Sequence, residues 1–507
     1  MCDSVIYVRI QCKKWGTYFC TSFHVFIKSI NVEASQNNNQ HKLENFSTTI
    51  LCTTRSHSEL WLVEEVTCAQ SSGTRTTHTN SQFTIPLAQR ERERERFIRT
   101  AINTNSQFTF TLAGRERERE RERGMDALNS TKPDDHQILV EEKLSARILT
   151  LNRPKQLNAL LFQMISRLLE LFIAYEEDSN VKLVIVKGKG RAFCAGGDVA
   201  ATIRDINEGT WRLGAKFYWK QFTLNYTLAT YRKPQVSILN GIVMGGGAGA
   251  SIHGRFRVAT ENSVFAMPET ALGLFPDVGA SYFLSRLPGF FGEYLGLTGT
   301  RLDGAEMLVC GLATHFVPSE RLSLLEEALC KLDSSDPTII SAVINEYSKQ
   351  PYMKEKSAYH RLNVIDRCFS RRTVEEIISA LEREALNKKD DWISKTIQSL
   401  KRASPTSLKI SLRSIRQGRL QGVGQCLVRE YRIACHVMQG KLSRDLFEGF
   451  RAILLDKDKN PKWEPSKLEL VSDDMVDSYF SMMDDEGWED LKLPARFNLP
   501  AYAIAKL

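Results

Sequence analysis

The sequence predicts an α/β fold for its middle portion, followed by a helical C-terminal portion. Short apolar runs typical of buried strands alternate with stretches whose apolar residues recur at helical spacing. Strands that alternate with helices are typical of α/β domains. After about residue 335 the strand pattern stops and amphipathic helical spacing takes over. The predicted strands are 146–151, 182–187 and 234–239, and the predicted helices are 160–175, 374–383 and 426–438.

Each predicted strand ends at a residue that disfavours further strand pairing. The first ends at Asn152-Arg153-Pro154, because proline cannot donate to a ladder. The second stops at Gly188. The third leads into a glycine-rich turn and a small-residue helix that runs through Ile252.

The first 124 residues differ from the rest of the chain. Arg-Glu alternation fills 90–96 and 115–123, and each run follows a near-duplicate phrase, 79–84 or 104–109. Alternating charges leave no apolar face to bury. We therefore predict a low-complexity, disordered or non-native segment 1–124, with Met125 as the natural start. A core at 125–334 carries the active site, and a helical region follows at 335–507.

Composition narrows the class of function. The chain of 507 residues has 42% hydrophobic and 25% charged residues and a net charge of +8, which is ordinary for a globular protein and too modest to indicate nucleic-acid binding. No apolar run reaches 18 residues, so no membrane span is expected. Eleven cysteines without CxxC pairs fit a reducing compartment, and nine histidines without ligand spacing give no support for a metal site.

Two glycine-rich segments follow predicted strands, at 190–198 and 240–249. Glycine lets a backbone amide approach a ligand closely, because no Cβ intervenes. Two such loops can direct two N–H groups at one oxygen and form an oxyanion hole. Each loop alone is more often only a tight turn. The second also loosely matches a dinucleotide-binding GxGxxA pattern but lacks the acidic residue expected about 20 residues later.

Two carboxylates, Glu269 and Asp277, lie among apolar neighbours in the segment 265–279. Apolar surroundings tend to raise the pKa of a carboxyl group and to make its anion a better base or nucleophile. An isolated glutamate of this kind is more often a structural, ion-paired residue. The combination with both glycine loops favours the catalytic interpretation.

Phe193-Cys-Ala-Gly-Gly-Asp198, Gly245-Gly-Gly247 and Met267-Pro-Glu269 together resemble the crotonase (enoyl-CoA hydratase/isomerase) superfamily. The longer segment 267–279 looks like its 3-hydroxyisobutyryl-CoA hydrolase branch. The phrases 404–409, 429–432 and 448–458 are similar to the same branch, so the likeness covers about residue 136 to the C-terminus.

The resemblance implies a crotonase fold of repeated ββα units that binds an acyl-CoA substrate. Gly197 and Gly246 match the oxyanion-hole amides, Glu269 the catalytic glutamate, and Asp277 the aspartate typical of the hydrolase branch. Gly246, Glu269 and Asp277 are also expected to bind substrate, as is Gln221, where some hydrolases have a glutamate. Glutamine can still form hydrogen bonds but cannot accept a proton, which leaves the preferred acyl group open.

The position of Gly249 decides between reactions within the superfamily. Hydratases have a second catalytic glutamate there, so the resemblance implies thioester hydrolysis rather than hydration of a double bond. The predicted activity is hydrolysis of 3-hydroxyisobutyryl-CoA in valine catabolism. The alternatives are an enoyl-CoA hydratase or isomerase, a catalytically silent acyl-CoA-binding protein and, more remotely, a nicotinamide-dependent oxidoreductase.

Partners and location follow from the same interpretation. We expect no cofactor, since CoA is part of the substrate. Lys155 and Arg191 are candidates for binding its phosphates, and the alternative for each is an ordinary solvated surface residue. Ala505-Lys506-Leu507 is close to the Ser-Lys-Leu peroxisomal signal. It predicts binding to the peroxisomal import receptor, with the mitochondrion as the alternative location. A homo-oligomer is left open.

Overall fold

The structure, a computed structural model, describes residues 136–198, 203, 206, 210–387 and 390–497, and the backbone of four short strands nearer the N-terminus. The chain divides into two compact units, Met1–Gln107 and Phe108–Leu507. In the first unit the four strands form two antiparallel pairs. These pairs are Cys12–Lys14 with Thr17–Phe19 and Leu51–Cys52 with Trp61–Leu62. Most of segment 1–124, Met125 and the tripeptide 505–507 lie outside the described residues, so the predictions made for them stay predictions.

The second unit is built on two sheets. The larger has six strands in the order β10-β7-β5-β3-β2-β1, all parallel except for the antiparallel pair β1-β2. The smaller has the order β9-β8-β6-β4 and is parallel except at β9. In chain order the strands are β1 Ile138–Lys143, β2 Ala146–Leu151, β3 Leu183–Gly188, β4 Ala192–Cys194, β5 Gln235–Leu239, β6 Ile242–Met244, β7 Phe256–Ala259, β8 Val264–Ala266, β9 Leu302–Asp303 and β10 His315–Phe316.

Three consecutive long–short strand pairs give the fold its repeat: β3-β4, β5-β6 and β7-β8. In each pair the long strand joins the larger sheet, and the chain turns at once into a short strand of the smaller sheet. The corner after β3 needs a glycine, because a Cβ atom at Gly188 would lie 2.4 Å from the Ala192 carbonyl oxygen. The predicted repeat of ββα units is therefore confirmed.

Helices cover the sheets and fill the C-terminal portion. The large core cluster includes side chains from strands and from C-terminal helices alike, among them Val243, Phe265 and Leu427. Helix α13, Val423–Gln439, packs on helix α2, Trp211–Ala229, where the rings of Trp219 and Tyr431 meet edge to face. The helices are α1 Phe162–Glu177, α2 Trp211–Ala229, α3 Gly246–Gly249, α4 Ala280–Leu284, α5 Phe291–Thr298, α6 Gly304–Val309, α7 Leu322–Cys330, α8 Pro337–Tyr347, α9 Leu362–Phe369, α10 Val374–Asn387, α11 Asp391–Arg402, α12 Pro405–Gly418, α13 Val423–Gln439, α14 Asp445–Phe450 and α15 Asp473–Phe480.

The α/β class and the helical C-terminal portion are confirmed, and the predicted elements are found with small shifts at their ends. The glycine-rich segments follow the long strands β3 and β5, as predicted, and each contains a short strand, β4 or β6, that was not predicted. One expectation was wrong. The helix predicted to run through Ile252 is only the single turn α3. Within the described residues, no helix has the length and apolar character of a membrane span.

Candidate active site

Three parallel short strands, β4, β6 and β8, end at the same edge of the smaller sheet. Cys194 pairs with Val243, and Met244 pairs with Ala266. Because paired parallel strands end side by side, the three segments that follow them also leave the sheet together. This register brings the two glycine loops and the Met-Pro-Glu segment to one place, as the sequence predicted.

The two predicted oxyanion-hole amides lie next to each other. The loop after β4 bonds to Leu160 through the carbonyl of Gly196 and the N–H of Asp198, so the N–H of Gly197 between them faces the opposite side. Gly246 opens helix α3, where first-turn N–H groups have no partner within the helix. A Cβ atom at Gly246 would lie 2.9 Å from the Gly197 nitrogen, so only glycine allows this approach.

Glu269 lies against the same glycine loop. It opens a 3-10 helix, Glu269–Leu272, three residues after the end of β8. Gly245, which lies between β6 and Gly246, has φ +48°. A Cβ atom at Gly245 would lie 2.8 Å from Glu269 Oε1. A side chain at position 245 would therefore both strain the backbone and displace the carboxylate.

The Glu269 carboxyl is held in a dry environment. Its residue is 5% exposed, and Oε2 has no hydrogen-bond partner. Burial, and next the charge of Asp277, raise the pKa of Glu269 well above its usual range. Such a carboxylate has little solvation to lose when it reacts, so it is suited to act as a base or nucleophile.

Asp277 and Tyr218 lie beside Glu269 and share its environment. Asp277 is 5% exposed, and burial followed by the charge of Glu430 raises its pKa well above the usual range. The pKa of Tyr218 on α2 is also raised, by burial and then by Asp277 and Glu269. Three ionisable groups therefore disfavour one another's charge around one small volume.

A single cavity joins all the predicted catalytic and acyl-binding residues. It encloses about 680 Å³ of free space, open solvent at its mouth included. Gln221 lies between the two glycine loops, with Nε2 2.7 Å from the Cβ position of Gly246. The lining residues are Ala195, Gly196, Gly197, Ile203, Phe217, Tyr218, Gln221, Met244, Gly245, Gly246, Pro268, Glu269, Leu272, Leu274, Asp277, Met438 and Leu446.

A family model described as enoyl-CoA hydratase/isomerase matches residues 146–480 of the sequence. The chain belongs to this enoyl-CoA hydratase/isomerase family. The resemblance to the crotonase superfamily was inferred from three short motifs. It is confirmed by the sequence match and by the two sheets of the fold.

Individual relatives sharpen this family membership. The 3-hydroxyisobutyryl-CoA hydrolase 1 of Arabidopsis thaliana is 72% identical over 371 residues, which cover 73% of this chain and 98% of that protein. The mitochondrial 3-hydroxyisobutyryl-CoA hydrolase-like protein 1 of the same plant is 48% identical, with 74% and 93% covered. The crystal structure of a carnitinyl-CoA dehydratase from Mycobacterium thermoresistibile superposes with a TM-score of 0.64 at 34% identity, covering 71% of this chain and 99% of that one.

The surroundings of Gly249 leave no room for a side chain. A Cβ atom at Gly249 would lie 2.6 Å from Val278 Cβ and 2.9 Å from Asn225 Nδ2. No side chain fits there without movement of its neighbours. The space that a second glutamate would need is occupied by Val278 and Asn225, in agreement with the prediction from the sequence.

Sequence reasoning missed several residues of the site. Tyr218 lies three residues before the predicted Gln221 but was not itself predicted. Glu430 lies in the quoted phrase 429–432, but nothing local connects it with Asp277. Lys155 and Arg191, the candidates for the CoA phosphates, are not among the residues that line the cavity, and their role stays a prediction.

The raised pKa of Glu269 predicts a dependence of stability on pH. The folded protein holds the Glu269 proton more tightly than the unfolded chain, so the free energy of unfolding falls as pH rises from about 4.3 towards the folded-state pKa. Glu269→Gln lacks this loss. We expect the free energy of unfolding of Glu269→Gln, relative to that of the wild type, to increase between about pH 5 and pH 8, measured by urea unfolding. A constant difference between Glu269→Gln and the wild type over this range would contradict the prediction.

Proposed function

We propose that this protein hydrolyses a short hydroxyacyl-CoA thioester, 3-hydroxyisobutyryl-CoA, to 3-hydroxyisobutyrate and CoA in valine breakdown. The observation that carries the proposal is the meeting of the two glycine amides and the poorly solvated Glu269 at one cavity. The names of the 72% and 48% identical relatives support the same substrate. They also favour the hydrolase over the hydratase alternative.

In the proposed reaction the thioester carbonyl oxygen lies between the N–H groups of Gly197 and Gly246. Both donors strengthen their bonds as the oxygen becomes an oxyanion, which stabilises the tetrahedral intermediate. Because both amides belong to backbone that is fixed by strand pairing and by helix α3, little reorganisation is needed when charge develops.

Glu269 supplies the nucleophilic step by one of two routes. In the first, its carboxylate attacks the carbonyl carbon, the C–S bond breaks, CoA leaves as a thiolate that takes up a proton, and water hydrolyses the resulting anhydride. In the second, Glu269 removes a proton from water as the water attacks, and the C–S bond breaks from the tetrahedral intermediate. Both routes need the ionised form of Glu269.

Asp277 and Gln221 are proposed to bind the polar part of the acyl group. Both line the cavity beside the reacting atoms. A protonated Asp277 can donate a hydrogen bond to the substrate hydroxyl, and the Gln221 amide can donate or accept. Their burial makes an unpaired polar group costly, so a substrate that carries a hydroxyl is favoured over one that lacks it.

The experiment is a substrate panel on the purified full chain with detection of the free thiol. We expect CoA release to be fastest from 3-hydroxyisobutyryl-CoA, slower from isobutyryl-CoA, and no hydration of crotonyl-CoA. Hydration of crotonyl-CoA at a comparable rate would favour the hydratase alternative. No CoA release from any short hydroxyacyl-CoA would favour a silent acyl-CoA-binding protein.

Gly249→Glu tests whether hydration can be installed. The new side chain would meet Val278 and Asn225 at 2.6–2.9 Å, so we expect lost stability of about 2 kcal/mol or more and no gain of hydration of crotonyl-CoA. Thermal unfolding and the crotonyl-CoA assay measure the two effects. Gly249→Ala, which adds only the Cβ, should show a smaller loss of stability. A stable, hydrating Gly249→Glu variant would contradict this account of the site.

The cellular location is proposed to be the peroxisome, with import through Ala505-Lys506-Leu507. Against it stands the name of the 48% identical relative, which is mitochondrial. A fluorescent protein fused to residue 1 should enter peroxisomes, and deletion of the last three residues should abolish this entry. Mitochondrial signal from the undeleted fusion would support the alternative.

A further inference from the structure

The turn that carries Asp277 is strained. Val278, directly after Asp277, has φ +57°. A β-branched residue rarely adopts this left-handed backbone conformation, which costs on the order of 1–3 kcal/mol and persists only where the surroundings hold it. The groups that hold the turn therefore have a direct influence on where the Asp277 carboxyl lies.

Glu430, on the C-terminal helix α13, contacts this turn from behind. Its carboxylate accepts hydrogen bonds from the Gly279 N–H at 2.6 Å, the Ser281 N–H at 2.9 Å and the Ser281 hydroxyl at 2.5 Å. The residue is fully buried and does not line the cavity, so it does not touch a substrate there. On the other side of the turn, His253 Nε2 lies 2.8 Å from the Val278 carbonyl oxygen.

The three buried carboxyls Glu269, Asp277 and Glu430 differ in how well they can hold charge. Three donors meet Glu430, whereas Glu269 Oε2 has no partner. Burial raises the pKa of Glu430, but the donors from Ser281 and Gly279 and the nearby Arg429 act against that rise. Because hydrogen bonds to a carboxylate favour its charged form, negative charge resides first on Glu430.

We propose that Glu430 is a positioning residue that fixes the turn carrying Asp277 and places a negative charge behind the two carboxyls of the site. The inference rests on the proposed hydrolysis and adds the C-terminal helix to its machinery. The charge keeps Asp277 protonated, so that Asp277 donates a hydrogen bond to the substrate and does not repel the anionic Glu269. The other ionisable groups that face this cluster are Tyr218 on α2, His253 after α3, and Cys426 and Arg429 on α13.

The test compares Glu430→Gln with Glu430→Asp in the full chain. Glu430→Gln removes the charge and one acceptor. We expect kcat/KM for 3-hydroxyisobutyryl-CoA to fall about 100-fold, the size of effect that follows a misplaced group. Glu430→Asp keeps the charge and should recover at least part of the rate. The matched control is Glu293→Gln, which removes another fully buried carboxylate. Glu293 is paired with Arg419, directly after α12, and its replacement should leave kcat unchanged.

A second measurement needs no substrate. An infrared titration follows the protonated carboxyl band, and in the wild type this band should persist above the usual range of Asp and Glu, about pH 4. In Glu430→Gln the midpoint should drop, because a like charge has been removed. A wild type that cleaves no thioester would remove the proposed function, and the titration would still decide the role of Glu430.

The variants Glu430→Gln and Asp277→Asn together decide the proposal. If Glu430→Gln folds and titrates like the wild type, the proposal is overturned. If it does not fold, Asp277→Asn decides, because its side chain has the shape of a protonated aspartate. Loss of band intensity at neutral pH in Asp277→Asn supports the proposal, and an unchanged band shows that Asp277 is ionised, which overturns it.

Discussion

Glu269→Gln is expected to lower kcat for 3-hydroxyisobutyryl-CoA by about 1,000-fold or more, with the affinity for the CoA ester retained. Glutamine has nearly the same shape but can neither attack the carbonyl nor accept a proton from water. Effects of this size are typical when a general base or nucleophile is lost. Thiol release measures the rate, and a binding titration with the intact ester measures the affinity.

The Glu269→Gln result separates the proposed role from a structural one. Glu269 has one carboxylate oxygen without a partner, so its replacement should not lower the free energy of unfolding. The matched control is Glu306→Gln, a buried glutamate that closes a capping box with Asp303 away from the cavity and should lose stability while keeping its rate. Retention of more than about a tenth of the wild-type kcat in Glu269→Gln would remove Glu269 from its role.

Gly246→Ala is expected to lower kcat by ~100–1000-fold, the usual effect of losing one oxyanion-hole donor. The added Cβ would meet Gln221 Nε2 at 2.7 Å and the Gly197 nitrogen at 2.9 Å. The Gln221 side chain can move, but the Gly197 nitrogen belongs to the backbone that supplies the second amide. One methyl group therefore disturbs both donors, and the thiol-release assay measures the loss.

The control for Gly246→Ala is Gly422→Ala, at the start of α13. A Cβ atom there would meet only Gln425 Oε1, at 3.9 Å, and the backbone of Gly422 has φ −73°, which alanine adopts freely. We expect this variant to keep the wild-type rate. If Gly246→Ala keeps kcat within about threefold of the wild type, the two glycine amides do not form the oxyanion hole.

Much of the catalytic end of the fold could be predicted from local sequence. Buried strands such as Leu183–Gly188 contain continuous apolar runs, and the glycine loops and the Met267-Pro268-Glu269 segment have patterns that point to one chemistry. The short strands β4, β6 and β8 were not predicted, because three residues are too few for a periodic pattern. Their pairing is nevertheless what brings the three segments to one edge.

The sequence by itself determined the fold class, the two glycine loops and the glutamate, because each depends on residues that are neighbours in the chain. Only the tertiary structure decided that Glu430, more than 150 residues from Asp277 along the chain, lies behind the catalytic turn, and that Val278 and Asn225 occupy the space beside Gly249. Such contacts depend on how α13 and α2 pack, and packing depends on the shapes of many distant side chains at once. No short motif contains that information.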